Sequence, residues 1–338
     1  VLSVKNLGLI ARLSLLQMVA LGGAVSASIS IVQAEESCVY VDEQGELVPV
    51  RSPHLVPKAA RNRLVCKDKG IEEVAVPEEL DVGRDARTAD FITELGPMKV
   101  RWSRSIEQCF ATTPARSVSE AARAVNRALK NGRFTSDLRY SRHEWTLGFI
   151  DKTSAISQFP LSLTLGRHPG FMIPPNRIYL VPDHISPNCG NKEIADDILT
   201  QVLLHEMGHV VEYILLGERQ SPVDRERSEG FAVWFEQYSA AYASSLPKGQ
   251  VQAYYASLAR SAGANQKFSP SPQGYANAGI RFQTIVDRKG VSGLMSVYSL
   301  IREQQLPFDA AVERALSWNR ATFERQVREY RERKLNGT

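Results

Sequence analysis

The sequence predicts an α+β fold: a sheet-forming N-terminal half followed by a mostly helical C-terminal half. Strand-like runs, rich in β-branched, aromatic and leucine residues and bounded by Pro, Gly and Asn, all precede residue 190. From Asn191 onward almost every stretch has helical periodicity. Sheet first and helices after is the order of α+β, not of alternating α/β. Between the two halves lies one long apolar helix carrying "HEMGH", His205 to His209.

The elements follow in chain order. Residues 1–34 read as an export signal. Lys5 and Arg12 form a basic start, an uncharged run diluted by Gly, Ala and Ser follows, and "VQA" before Glu35 is a small-residue cleavage site. The competing reading is an uncleaved membrane anchor, because the run is long enough to span. Cys38 is preceded by "EES", which does not fit a lipoprotein signal. Of 41 basic residues two lie in this segment, leaving 39 against 37 acidic ones. No basic stripe is interleaved with aromatics, which argues against a nucleic-acid partner.

Residues 35–97 are expected to form a small hairpin module and a linker. "CVYVDEQGELVPV" alternates apolar and polar residues around a Gln-Gly turn. Residues 67–97, rich in Glu, Asp, Pro and Gly, have little periodicity and read as linker or irregular cover. "SVSEAARAVNRALKNG" is a helix with a capping box, Ser117 and Glu120, and a stop at Gly132. "EWTLGFI", "FPLSLTL" and "NRIYLVP" are strand candidates. Helices are expected near 192–216, 226–245, 248–262, 274–289, 291–304, 307–317 and 319–334. Four cysteines in an exported chain favour disulfides. Of the three connectivities, Cys38–Cys66 with Cys109–Cys189 is preferred, because the first pair brackets a compact segment.

In "HEMGH", His205 and His209 lie one turn apart on one helix face, a spacing that lets two imidazoles reach one metal ion. Glu206 is rotated away from them, so its carboxylate can address a water without ligating. Two histidines and a glutamate on an apolar helix are costly to bury without partners, and a metal is one. This is the H-E-x-x-H pattern of zinc peptidases. A catalytic zinc has three protein ligands and one open position. Glu229, twenty residues beyond His209 in "RERSEGFAVWFEQY", is the preferred third; Asp224, Glu226 and Glu236 are rivals. Glu236, two turns from Glu229 on the same face, can instead support a ligand from behind.

Here the chain resembles the gluzincins, the zinc-peptidase clan that includes thermolysin and the aminopeptidase N group. "EGFAVWF" is similar to the "E-G-x-A-x-x-F" segment of its peptidase MA-like families, and "QGYANAGIRF" to their "Y-x-x-(G/A)-x-x-F" helix. The resemblance covers roughly residues 175–330. It implies a zincin-like domain over 98–338, with the active-site helix between a mixed sheet and a helical half. It implies one Zn2+ per chain on His205, His209 and Glu229, with Glu206 as general base for attack of a zinc-bound water on a peptide bond. It also implies Tyr275 as the donor to the oxyanion, against a reading of Tyr275 as a core or cap tyrosine.

Val233 stands where thermolysin-type enzymes have a supporting Asp, and the aminopeptidase "G-x-M-E-N" strand is absent. "NRIYLVP" is expected to be the edge strand above the zinc, where an extended peptide can pair. The expectation is thus a zinc endopeptidase acting on peptides or proteins. It is placed in the bacterial periplasm or secreted, with no stable membrane anchor after signal cleavage. The alternative is a non-hydrolytic zinc-binding assembly or chaperone factor on the same fold. His54, His143, His168 and His184 read as surface or capping residues, with His184 nearest the zinc helix in sequence. No G-x-S-x-G elbow or phosphate-cradling glycine loop competes.

Overall fold

The computed structural model describes residues 38–41, 47–50, 64–66, 82, 85–134, 144–151, 169–173, 176–217, 224–262, 268–269 and 271–335. The export signal and "FPLSLTL" lie outside them. Among the described residues no helix is long and apolar enough to cross a membrane.

The hairpin module is present as β1 (Cys38–Val41) and β2 (Leu47–Val50), antiparallel, with β3 (Leu64–Cys66) on the other side of β1. Cys38 and Cys66 face each other across β1 and β3. The second predicted pair is a disulfide, Cys109–Cys189. It ties the loop before the first long helix to the turn that leads into the HEMGH helix.

The main sheet has five strands: β4 (Ala86–Thr93), β5 (Gly96–Ser103), β6 (Trp145–Phe149), β7 (Gly170–Ile173) and β8 (Arg177–Leu180), in the order β4-β5-β6-β8-β7. β5, β6 and β8 run parallel, and β4 and β7 pair antiparallel at the two edges. Two expectations are corrected. The stretch read as linker up to residue 97 contains β4, which pairs with β5 along its whole length. "NRIYLVP" forms β8, which lies inside the sheet; the edge strand beside it, among the described residues, is β7, "GFMI".

One sheet face is covered by α1 (Pro114–Asn131) and α2 (Lys192–Leu216). Along α1, Val118, Ala121, Ala122, Val125 and Leu129 form an apolar stripe at helical spacing and join one core with Val100, Leu147, Phe149, Ile178 and Leu180 of the strands. Alternate strand residues face the other way: Phe171, Tyr179 and Val181 form a smaller cluster with Val82 and Ile150. The start of α1 differs from expectation. Thr113 is its N-cap, accepting from the Arg116 N–H, with Pro114 in the first turn. Ser117 and Glu120 are therefore inside the helix, and Glu120 accepts from Ser244 and Ser245 instead. Gly132 ends the helix as predicted.

The C-terminal half is helical: α3 (Arg225–Ala240), α4 (Gln250–Ala262), α5 (Pro272–Gln304), α6 (Phe308–Leu316) and α7 (Arg320–Leu335). The two helices expected over 274–304 join end to end through Gly290, whose φ of 69° breaks the helical geometry there. A buried ionic cluster pins three of these elements. Glu212 of α2 accepts from Arg227 Nε of α3 at 3.0 Å and from the Tyr298 hydroxyl of α5 at 2.6 Å. Removing one partner leaves a buried charge uncompensated. Glu212→Ala is therefore expected to cost about 3–5 kcal/mol in urea unfolding; a loss below about 1 kcal/mol would mean the cluster does not clamp the helices.

Near the start of α2, burial first, then the neighbouring Asp196 and Glu193, push the Asp197 carboxyl up to about 6. A carboxyl with its folded pKa above the unfolded value of about 3.9 binds more protons when folded. Stability then falls as pH rises through about 4 to 6 and stays lowered above that. Asp197→Asn is expected to stabilise the protein at pH 7 by on the order of 1 kcal/mol, after solvent screening, and to give no such gain near pH 3.5. Urea midpoints at the two pH values check this; an equal change at both would exclude titration as the cause.

Candidate metal centre

The centre is built where α2 and α3 cross. Gly208, inside HEMGH, is the contact point: a Cβ there would stand 3.0 Å from the Ala232 Cα and 3.3 Å from its carbonyl oxygen. Only a residue without a side chain lets the two backbones approach so closely. On its other side α3 meets α5 just as tightly. A Cβ on Gly230 would lie 2.9 Å from the Ala278 carbonyl oxygen, and one on Gly279 would lie 2.5 Å from Val233 Cγ1. α3 is therefore wedged between two helices by small residues on both faces, and its first turn, with Glu229, is brought over the two histidines.

His205, His209 and Glu229 offer one donor atom each, all within 4.8 Å of one another. Glu229 Oε2 lies 3.4 Å from His205 Nε2 and 3.7 Å from His209 Nε2. Donors around a tetrahedral zinc, each about 2.0–2.1 Å from the ion, stand roughly 3.4 Å apart. The other ring nitrogens are occupied. His205 Nδ1 pairs with Glu236 Oε2 at 3.3 Å and His209 Nδ1 with Ser228 Oγ at 3.1 Å. These contacts turn both Nε2 atoms toward Glu229, as partners behind metal-ligating histidines do. The three residues fit a zinc ion in donor type, spacing and outer support.

Of the rival ligands, Asp224 caps α3 by accepting from the Arg227 N–H, and Glu226 faces Arg281 at 3.9 Å. Glu236 stands behind His205 and also accepts from the Tyr255 hydroxyl of α4 at 2.6 Å. Val233, one turn beyond Glu229, packs on Gly279 and makes no contact of this kind. Tyr255 was not foreseen; its link to the site is spatial, through α4, and no spacing in the sequence announces it. His184 lies in the short turn Pro182–Ile185 and is not part of the His–Glu group. His54, His143 and His168 lie outside the described residues.

Glu206 is 4% exposed. One of its oxygens, Oε2, has no hydrogen-bond partner among the described residues. Its Oε1 faces β7, where a Cβ on Gly170 would come within 2.9 Å of it. The glycine thus lets the edge strand pass directly over the carboxylate. Burial first, then Glu229 and Glu236, push the Glu206 carboxyl up, with the two imidazoles opposing. Burial works against ionisation of Glu229 too, but the His205 and His209 contacts outweigh it and hold that carboxyl well below the usual range. His205 is pushed well above its ordinary value: burial disfavours the charged ring, and Glu229 and Glu236 more than compensate.

Tyr275, in the first turn of α5, stands beside this group. Its hydroxyl accepts from Arg225 Nη2 at 3.1 Å, and its ring stacks on Phe268. Burial and the Glu229 charge push the phenol up to about 12, and Arg225 pulls the other way. No known protein family matches the chain, and no curated protein matches it.

Because the α2–α3 distance sets the donor spacing, Gly208→Val must force the helices apart or strain them. The expected cost is about 1–3 kcal/mol of stability, together with a fall in zinc affinity on the order of tenfold or more, since sites tolerate only about 0.5 Å of displacement. Competition with a chromophoric chelator measures it. Unchanged affinity would show that the helix crossing does not set the site.

Proposed function

We propose that this chain is a zinc-dependent peptidase of the gluzincin kind. The observation that carries the reading is a pair of facts at one place. His205, His209 and Glu229 converge with zinc spacing, and the neighbouring Glu206 is buried with an oxygen that no group among the described residues satisfies. A buried polar atom without a partner is costly and calls for a ligand, here a water or a substrate group. The five-stranded mixed sheet with an antiparallel edge strand passing over the HEMGH helix supports the same reading.

A zinc ion held by His205, His209 and Glu229 would supply Lewis acidity. The chain's own residues do the rest. Glu206, raised by burial, accepts a proton from the attacking water and returns it to the departing amine. Tyr275 offers its phenol O–H to the oxygen that becomes negative at the tetrahedral stage. Glu236 and Ser228 keep the imidazoles turned inward. The edge of β7, unpaired among the described residues, pairs with an extended peptide through main-chain hydrogen bonds, which selects a backbone without demanding a chain terminus. The disulfide Cys109–Cys189 supports a site of action outside the reducing cytoplasm.

Glu206→Gln separates this reading from a zinc-binding assembly or chaperone factor. The variant should keep one zinc per chain and lose hydrolysis of a mixed peptide library by about 10²–10⁴-fold. Cleavage is followed by mass spectrometry. Wild-type protein that carries zinc and cleaves nothing in the library would favour the assembly factor.

A further inference from the structure

Arg225 begins α3, one turn before Glu229, and 51% of its side chain is exposed. Among the described residues its guanidinium makes two contacts: Nη2 donates to the Tyr275 hydroxyl at 3.1 Å, and Nε lies 3.6 Å from Glu229 Oε1. A guanidinium has five N–H donors in a planar fork, so the greater part of this one faces solvent at the margin of the site. Its carboxylate neighbour is already committed, since Glu229 Oε2 faces both histidine Nε2 atoms. When Glu229 ligates a metal, its charge is shared with the cation and Arg225 is left under-compensated. The other carboxylates of the site do not relieve it. Glu236 is turned to His205 and Tyr255, Asp224 caps the helix, and Glu206 is buried on α2.

We infer that Arg225, positioned by its hydrogen bond to Tyr275, forms a subsite for a carboxylate of the peptide substrate, close to the scissile bond. This rests on the peptidase reading above. A planar guanidinium fork matches a carboxylate in two parallel hydrogen bonds, and such charge-assisted bonds are the strong ones. The carboxylate is either the C-terminus of a peptide or an Asp or Glu side chain next to the cleaved bond, and both present the same group to the same fork. In either case Arg225 determines which peptides are chosen, whereas the zinc ligands and Glu206 do not discriminate between them.

The test uses zinc-loaded protein carrying Glu206→Gln, which does not consume its ligand. Three fluorescent peptide pools of mixed sequence are titrated by polarisation. One lacks Asp and Glu and is C-terminally amidated; one lacks Asp and Glu but has a free C-terminus; one contains Asp and Glu and is amidated. One of the carboxylate pools is expected to bind about tenfold more tightly than the neutral pool. Arg225→Gln, added to the same protein, should bring that pool down to the neutral level with zinc content unchanged. Preference for the free C-terminus identifies a terminal carboxylate, and preference for the third pool identifies a side chain. Equal binding of all pools, equal loss across all pools on Arg225→Gln, or no binding of any pool by zinc-loaded protein overturns the inference. Failure of the peptidase reading is scored separately, as zinc-loaded wild-type protein that leaves all three pools uncut.

Discussion

The distance between α2 and α3 at Gly208 governs the centre. A helix pair packs at 8–10 Å when ordinary side chains separate it. Here a Cβ on Gly208 would press on the Ala232 backbone, so the contact is made backbone to backbone. The histidines one residue and three residues away from that glycine therefore point into a narrow space, and Glu229 enters it from the opposite helix. Gly230 and Gly279 hold the far side of α3 against α5 in the same manner. α3 cannot slide or tilt to relieve strain at the site, because it is closed in on both faces. Three candidate donors from two helices stay in register without a loop contributing any of them.

The second constraint is charge. Four glutamates lie in or beside the crossing, and water reaches them poorly. Three are satisfied from within the protein. Glu212 has Arg227 and Tyr298, Glu236 has His205 and Tyr255, and Glu229 has the two imidazoles. Glu206 alone of these retains an oxygen with no partner. A fold selected only for stability would replace such a group, since an unsatisfied buried polar atom costs about 1–3 kcal/mol. Desolvation is thus concentrated at one carboxylate oxygen beside three convergent donors and is compensated around it.

The helical half was legible in the sequence because its signals are local. α2 spans the predicted residues, and the break near 290 follows from a glycine. The HEMGH spacing and Glu229 were legible for the same reason, as positions on two helices. The strands were harder to read. β4, "ARTADFIT", is an edge strand with most of its residues exposed, so burial imposes no apolar alternation on it. β5 does alternate, with Met98, Val100 and Trp102 buried, but it is recognisable as part of a sheet only once β4 is paired with it. β7 is four residues long and its role depends on passing Glu206, a contact across the fold. Gly208, Tyr255 and Arg225 were invisible for that reason too. Each matters through what lies opposite it in space, and nothing in its own neighbourhood announces the partner.

Elemental analysis of the oxidised protein beside a Glu229→Ala variant tests the account most directly. The two-helix site predicts one zinc per chain in the wild type and little or none in the variant, with both proteins folded by circular dichroism. Wild-type protein that takes up no zinc when supplied with it, or a variant that holds zinc as firmly as the wild type, would contradict the assignment of His205, His209 and Glu229 as the ligands.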